Sequence, residues 1–206
     1  MVVDKFFGGD KFSGRDQPEL LDIAGRSATS MTSYTMSVGA NEILVPIALG
    51  LGATLVMDLW NLLLKRAFSI PSLNYCLLGR WLRHMPYGTF RHASIAAAPQ
   101  RSLECPVGWI AHYTIGVVFA LVFVMFASGE WLARPTVLPA LLFGIATVVF
   151  PFFIMQPSFG LGVAASRTPN PTQARLKSLV THTVFGVGLY VWALGLNWVL
   201  RAYAQQ

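Results

Sequence analysis

Four stretches of this chain stay apolar for as long as a helix needs to cross a bilayer, and polar segments separate them. They cover about residues 43–64, 107–127, 137–155 and 179–200. At about 1.5 Å of rise per residue, each approaches or exceeds the ~30 Å hydrocarbon thickness. The first ends at Lys65-Arg66, and the second follows Pro106. The third carries Pro139 in its first turn and Pro151 in its last, where a kink or loosened turn is expected. The fourth ends among Trp192, Trp198 and Tyr203, read as interfacial anchors.

The first loop is too long to be a simple connection. Ser72 can cap a helix running to His84, with Leu73, Leu77, Leu78, Trp81 and Leu82 near one face. Asn74, Arg80, Arg83 and His84 fall elsewhere, the pattern of a helix lying at the headgroups with snorkelling arginines. The same pattern fits a loop helix packed on the bundle. The third loop holds Gly160 and Gly162 without the lysine or strand context of a phosphate loop, and reads as a re-entrant or interfacial segment. Asn170-Pro171 marks a turn, with Thr172 the candidate cap of the last helix. Residues 1–40 read as a flexible polar tail, and residues 41–206 as the membrane domain. A start at Met31 or Met36 would omit most of that tail.

Composition agrees with the pattern. Hydrophobic residues make up 54% of the 206 and charged residues only 12%, against about 25% charged in ordinary soluble domains. The expected fold is an all-α membrane protein: four transmembrane helices with an interfacial helix in the first cytoplasmic loop. Disordered, collagen-like and disulfide-scaffold classes are excluded, and a soluble enzyme is disfavoured.

Lys and Arg exceed Asp and Glu by 15 to 9, but the excess sits in loops and not in one groove-sized patch. That argues against nucleic acid and for a lipid bilayer as partner. Loops one and three carry Lys65, Arg66, Arg80, Arg83, Arg91, Arg101, Arg167, Arg175 and Lys177. Loop two has Arg134, and the C-terminal end Arg201. The positive-inside rule therefore places loops one and three in the cytoplasm and both termini in the periplasm of a bacterial inner membrane. In that compartment Cys76 and Cys105 are expected to be unpaired thiols. Together with His84 and His92 they match no common zinc spacing.

Asp58, inside the first span, is the most informative polar residue. Gly50, Thr54, Asp58 and Asn61 form one small and polar helical stripe. His112 and His182 lie near the same ends of spans two and four, each followed four residues on by Gly116 or Gly186. The exit of span one and the starts of spans two and four share one membrane side. Asp58, His112 and His182 should therefore form one layer, capped by Gln156. Ala-Thr-Leu-Val-Met-Asp (53–58) also resembles Ala-Thr-Val-Val-Phe-Pro (146–151), a match that chance explains as well as duplication. The layer can serve packing alone, relay protons, or bind a solute. Asp58, His112 and His182 can also ligate a transition metal, or the two histidines a haem. No cofactor is specified. The chain lacks a nucleophile–base pair, which leans against an enzyme. Association with itself or with other membrane subunits stays open.

Several motifs resemble one bacterial inner-membrane family. They are Gly-Ala-Thr-Leu-Val-Met-Asp (52–58), Ile-Pro-Ser-Leu-Asn-Tyr (70–75), Gly-Arg-Trp-Leu (79–82) and Phe-Arg-His (90–92). Further on come Gly-Trp-Ile-Ala-His-Tyr (108–113), Phe-Phe-Ile-Met-Gln-Pro (152–157), Ala-Ser-Arg-Thr-Pro-Asn-Pro (165–171) and Thr-His (181–182). That family is catalogued as a domain of unknown function (family 2938). The resemblance implies a multi-pass membrane protein from about Asn41 onward and brings no activity or site residues with it.

Overall fold

The computed structural model describes residues 17–127 and 129–204. Seven α-helices account for most of them: α1 (Gln17–Phe68), α2 (Tyr75–His84), α3 (Glu104–Phe126), α4 (Gly129–Ala133), α5 (Val137–Ala146), α6 (Gln156–Ser158) and α7 (Pro171–Ala204). No strand occurs among the described residues. Four helical segments are long and apolar enough to cross a membrane: Ile43–Phe68, Glu104–Phe126, Val137–Ser158 and Pro171–Val199. Contacts divide the chain into two units, Met1–Ile43 and Leu44–Gln206. In the first, the backbone from Gln17 onward is helical where a tail was expected over 1–40, and the rest of that expectation lies outside the described residues.

The polarity of this unit is that of a membrane bundle. Leu44, Leu51, Leu55, Leu59 and Leu62 face outward on α1, while Thr54 and Asn61 are buried on its opposite side. Lipid is as apolar as leucine, so the interior is selected for small residues that permit close backbone approach. A Cβ on Gly50 would fall on the backbone of Val117, and one on Gly116 would fall on the Thr54 hydroxyl. Gly144 and Gly186 meet in the same way where α5 crosses α7. The Trp192 indole lies over Gly52, so Trp192 packs α7 onto α1 and is not simply an anchor. Tyr203, the third expected anchor, has its side chain outside the described residues.

The third span breaks as Pro151 predicts. Proline offers no N–H to the ladder. The Thr147 carbonyl instead accepts from Phe150 N–H at 3.1 Å. A π-turn follows at Pro151–Met155, in which Gln156 N–H reaches back five residues to Pro151. The extra residue per turn rotates the following helix and swings Gln156 inward, where it is buried.

Loop one corrects several expectations. The cap of α2 is Asn74, whose side chain accepts from Cys76 N–H at 3.0 Å, and not Ser72. Helix α2 packs directly on α3, backbone against backbone: a Cβ on Gly79 would fall on the Glu104 carbonyl, and one on Gly108 on that of Tyr75. Arg80, expected to snorkel, is 6% exposed. It makes a two-pronged ion pair with Glu104 (2.9 and 2.8 Å) and donates to the carbonyls of Ile95, Ala96 and Ala98. The hydrogen bonds to Glu104 raise the guanidinium above its usual range. Cys76 and Cys105, expected to be unpaired, are disulfide-bonded. The expectation rested on compartment alone, whereas α2–α3 packing puts the two side chains side by side.

Loop three folds onto loop one. His92 N–H donates to Ser158 at 2.9 Å and Ile95 N–H to Phe159 at 3.1 Å. Gly160 is required here twice over: its φ is +87°, and a Cβ would fall on the Ala93 carbonyl. Helix α7 starts at Pro171, capped by Asn170, whose side chain accepts from Gln173 N–H at 3.3 Å. The cap is thus two residues earlier than Thr172, with proline in its favoured first-turn place.

Candidate functional site

Asp58 and His112 meet between α1 and α3. His112 Nε2–H donates to Asp58 Oδ1 at 3.0 Å, and the Tyr75 hydroxyl donates to the same oxygen at 3.1 Å. The Tyr75 ring stacks on the His112 imidazole, with centroids 4.0 Å apart and planes 21° apart. Burial first, and then the Asp58 carboxylate, push the Tyr75 phenol above its ordinary range, so it stays protonated and can donate. Asn61, one turn further along α1, is within bonding reach of that hydroxyl. The other carboxylate oxygen, Asp58 Oδ2, is buried without a partner. Sequence reasoning missed Tyr75, the first residue of α2, whose inward direction depends on how that helix docks.

His182 stands apart from this group. Its Nδ1 lies 2.7 Å from Thr147 Oγ1, and Thr147 Oγ1 donates its hydrogen to the Gly144 carbonyl at 2.6 Å. A hydroxyl has one hydrogen. Thr147 must therefore accept from His182, which fixes the proton on Nδ1 and leaves Nε2 as a lone-pair acceptor. The two hairpins use similar parts: a threonine on the first helix, Thr54 or Thr147, meets the His-x-x-x-Gly segment of the partner. The polar partner of each histidine differs, being a carboxylate for His112 and a hydroxyl for His182.

Both histidines line one cavity of about 520 Å³, within the usual size range of small-molecule sites. Asn61, Gln156, Ser178 and Thr181 supply its other polar wall, and apolar side chains from α2, α3 and the third and fourth spans supply the rest. Gln156 Nε2 donates to Ser178 at 3.3 Å, while Gln156 Oε1 is buried with no partner. Lys177, which also lines the cavity, is held by the Pro71 carbonyl. Four of the five candidate residues, Asn61, His112, Gln156 and His182, thus line one cavity, and Asp58 stands behind His112, outside its wall.

The metal readings fit less well. Among the described residues no three His, Cys, Asp or Glu side chains are grouped to hold an ion, so the Asp58/His112/His182 triad does not converge. His84 and His92 approach with ring centroids 4.9 Å apart, but His84 Nε2 is bonded to the Pro99 carbonyl at 3.0 Å, and both cysteines are in the disulfide. For a haem bridged by His112 and His182, the His112 Nε2 would have to leave Asp58.

No curated protein and no solved structure matches this chain. Residues 47–195 match a family described as a protein of unknown function, DUF2938, and those residues include every group of the cavity's polar wall. The chain belongs to the DUF2938 family.

Proposed function

We propose that this protein is a non-enzymatic inner-membrane component that takes up a small solute in the cavity between its helices. The Asp58–His112 pair supplies the ionisable element beside the bound molecule. The observation that carries this reading is the juxtaposition of that pair with an open cavity whose polar wall retains an unpartnered buried acceptor. Staples that only pack helices do not require such a space. Intramembrane ionisable groups that face one are functional by default. The test is a melting-temperature screen of the detergent-purified protein with inorganic cations, haem and small neutral amphiphiles. Stabilisation by a neutral amphiphile or a monovalent cation supports the proposal. A Soret band or a stoichiometric transition metal in the purified protein would replace it with the redox or assembly reading. Indifference to every probe would leave only a structural subunit.

We further propose that loops one and three are cytoplasmic and both termini periplasmic. The charge bias and the disulfide point to opposite sides. Charge acts during insertion, through the nine cations of loops one and three against Arg134 and Arg201. The Cys76–Cys105 bond forms only after insertion and folding, and cytosolic disulfides are ordinarily transient. The bias therefore takes precedence, and the bond is one that opens and closes with redox conditions. A reporter fused after Gln206 should be exported, and one inserted within residues 88–98 should stay cytoplasmic. Reversed labelling would put the disulfide in an oxidising compartment and make it a permanent clamp.

A further inference from the structure

The proton inventory of the cavity says what kind of molecule it takes. We infer that the occupant is a neutral, largely apolar molecule carrying a hydroxyl donor, of the phenol or lipid-alcohol class, bound through His182 Nε2 and Gln156 Oε1. This rests on the cavity reading above and narrows it to a chemical class.

Consider first the donors. The Tyr75 hydroxyl and His112 Nε2–H are given to Asp58, and His182 Nδ1–H to Thr147. Lys177 spends one of its hydrogens on the Pro71 carbonyl, and the Gln156 amide one of its two on Ser178. Now consider the acceptors. His182 Nε2 keeps its lone pair because Thr147 has already spent its hydrogen on Gly144. Gln156 Oε1 has none of its capacity used, and Gln156 is 6% exposed. The buried acceptor that the wall leaves without a donor is thus Gln156 Oε1, and His182 Nε2 offers a second lone pair. A ligand that brings a donor satisfies them; an acceptor-only ligand leaves Gln156 Oε1 as orphaned as before.

Charge narrows the class further. An anion would find one cation in the wall, Lys177, and that ammonium is already held by the Pro71 carbonyl. A cation would need a carboxylate in the wall, but Asp58 stands behind His112 and does not line the cavity. Aromatic and aliphatic side chains, Trp81, Ile115, Phe119 and Phe185 among them, form the body of the site. They suit an apolar ring or short chain, and burying a charge among them is costly. The break at Pro151 is what makes the site possible, because it turns Gln156 into the wall facing α7. Such π-turns recur at functional sites.

The test compares three probes of similar size on the purified protein: 4-butylphenol, its methyl ether 4-butylanisole, and butyltrimethylammonium. The phenol should bind about tenfold more tightly than the ether, the worth of one well-made hydrogen bond. The ammonium should not bind. In Gln156→Met, which keeps size and removes the acceptor, the preference for phenol over ether should fall markedly while the unliganded melting temperature stays near wild type. His182→Phe should act in the same direction, and either variant suffices if the other fails to fold. Equal binding of phenol and ether to the wild type overturns this inference and leaves the cavity proposal standing. Preferential binding of the ammonium also overturns it, pointing to a cation site at Asp58. Failure of all three probes to bind overturns this inference, and if the wider screen also fails the cavity proposal goes with it.

Discussion

Arg80→Leu should abolish accumulation of the folded protein. The guanidinium is buried and satisfies two carboxylate oxygens and three carbonyls, so its removal strands Glu104 as an unpaired buried acid and frees the 95–98 segment. Breaking a buried pair from one side costs on the order of 3–5 kcal/mol, which is a large share of a typical folding free energy. Arg80→Lys should be nearly as damaging, because a single ammonium cannot reproduce the planar fork. Glu104→Gln should be milder, since Gln keeps one acceptor for the guanidinium and an amide in place of the second. The measurement is the monodisperse fraction in detergent and its melting temperature. A wild-type-like Arg80→Leu would mean that the α2–α3 contact is held by Gly79, Gly108 and the disulfide without the ion pair.

This network shows where sequence reading stops. The four spans were legible because lipid imposes a long one-dimensional pattern, and the small polar stripe on α1 was legible because helical periodicity is regular. The inward direction of Asp58 and Asn61 follows from that stripe. Arg80 was read as outward because it falls, with Arg83, off the face that carries the leucines and Trp81. The missed signal was Glu104, which stands as the sole acidic residue between Asp58 and Glu130 and sits next to Cys105. Tyr75, Thr147 and the disulfide depend on how α2 docks and where α5 breaks, which are tertiary facts with no local period. The single layer expected of Asp58, His112 and His182 resolves into two hydrogen-bonded groups across one cavity. Chain direction fixes membrane depth, but it does not fix which residues touch.

Asp58→Leu should lower stability clearly and Asp58→Asn should not. Leucine removes both the His112 and Tyr75 bonds and leaves two buried donors without a partner, at about 1–3 kcal/mol for each group stranded. Asparagine keeps one oxygen that can accept from both, so its unliganded melting temperature should stay within a few degrees of wild type. Interhelical hydrogen bonds in membranes average only about 0.6 kcal/mol, so the charge itself contributes little to holding α1 on α3. Equal destabilisation by Asn and Leu would show that the ionised carboxylate is structural.

The account's central claim, that these groups serve a bound molecule and not packing alone, is tested most directly by ligand response in variants that fold. The measurement is the shift in melting temperature with a saturating probe, the most effective one from the screen above, for wild type, Asp58→Asn, His112→Gln and His182→Gln. The account predicts that the wild type is stabilised and that all three variants lose most of that shift while keeping the folded state. Their losses should not add when combined, because His112 and His182 line one cavity and Asp58 acts through His112. A wild-type-sized shift in all three variants would contradict it and reduce the Asp58–His112 pair and His182 to structural groups.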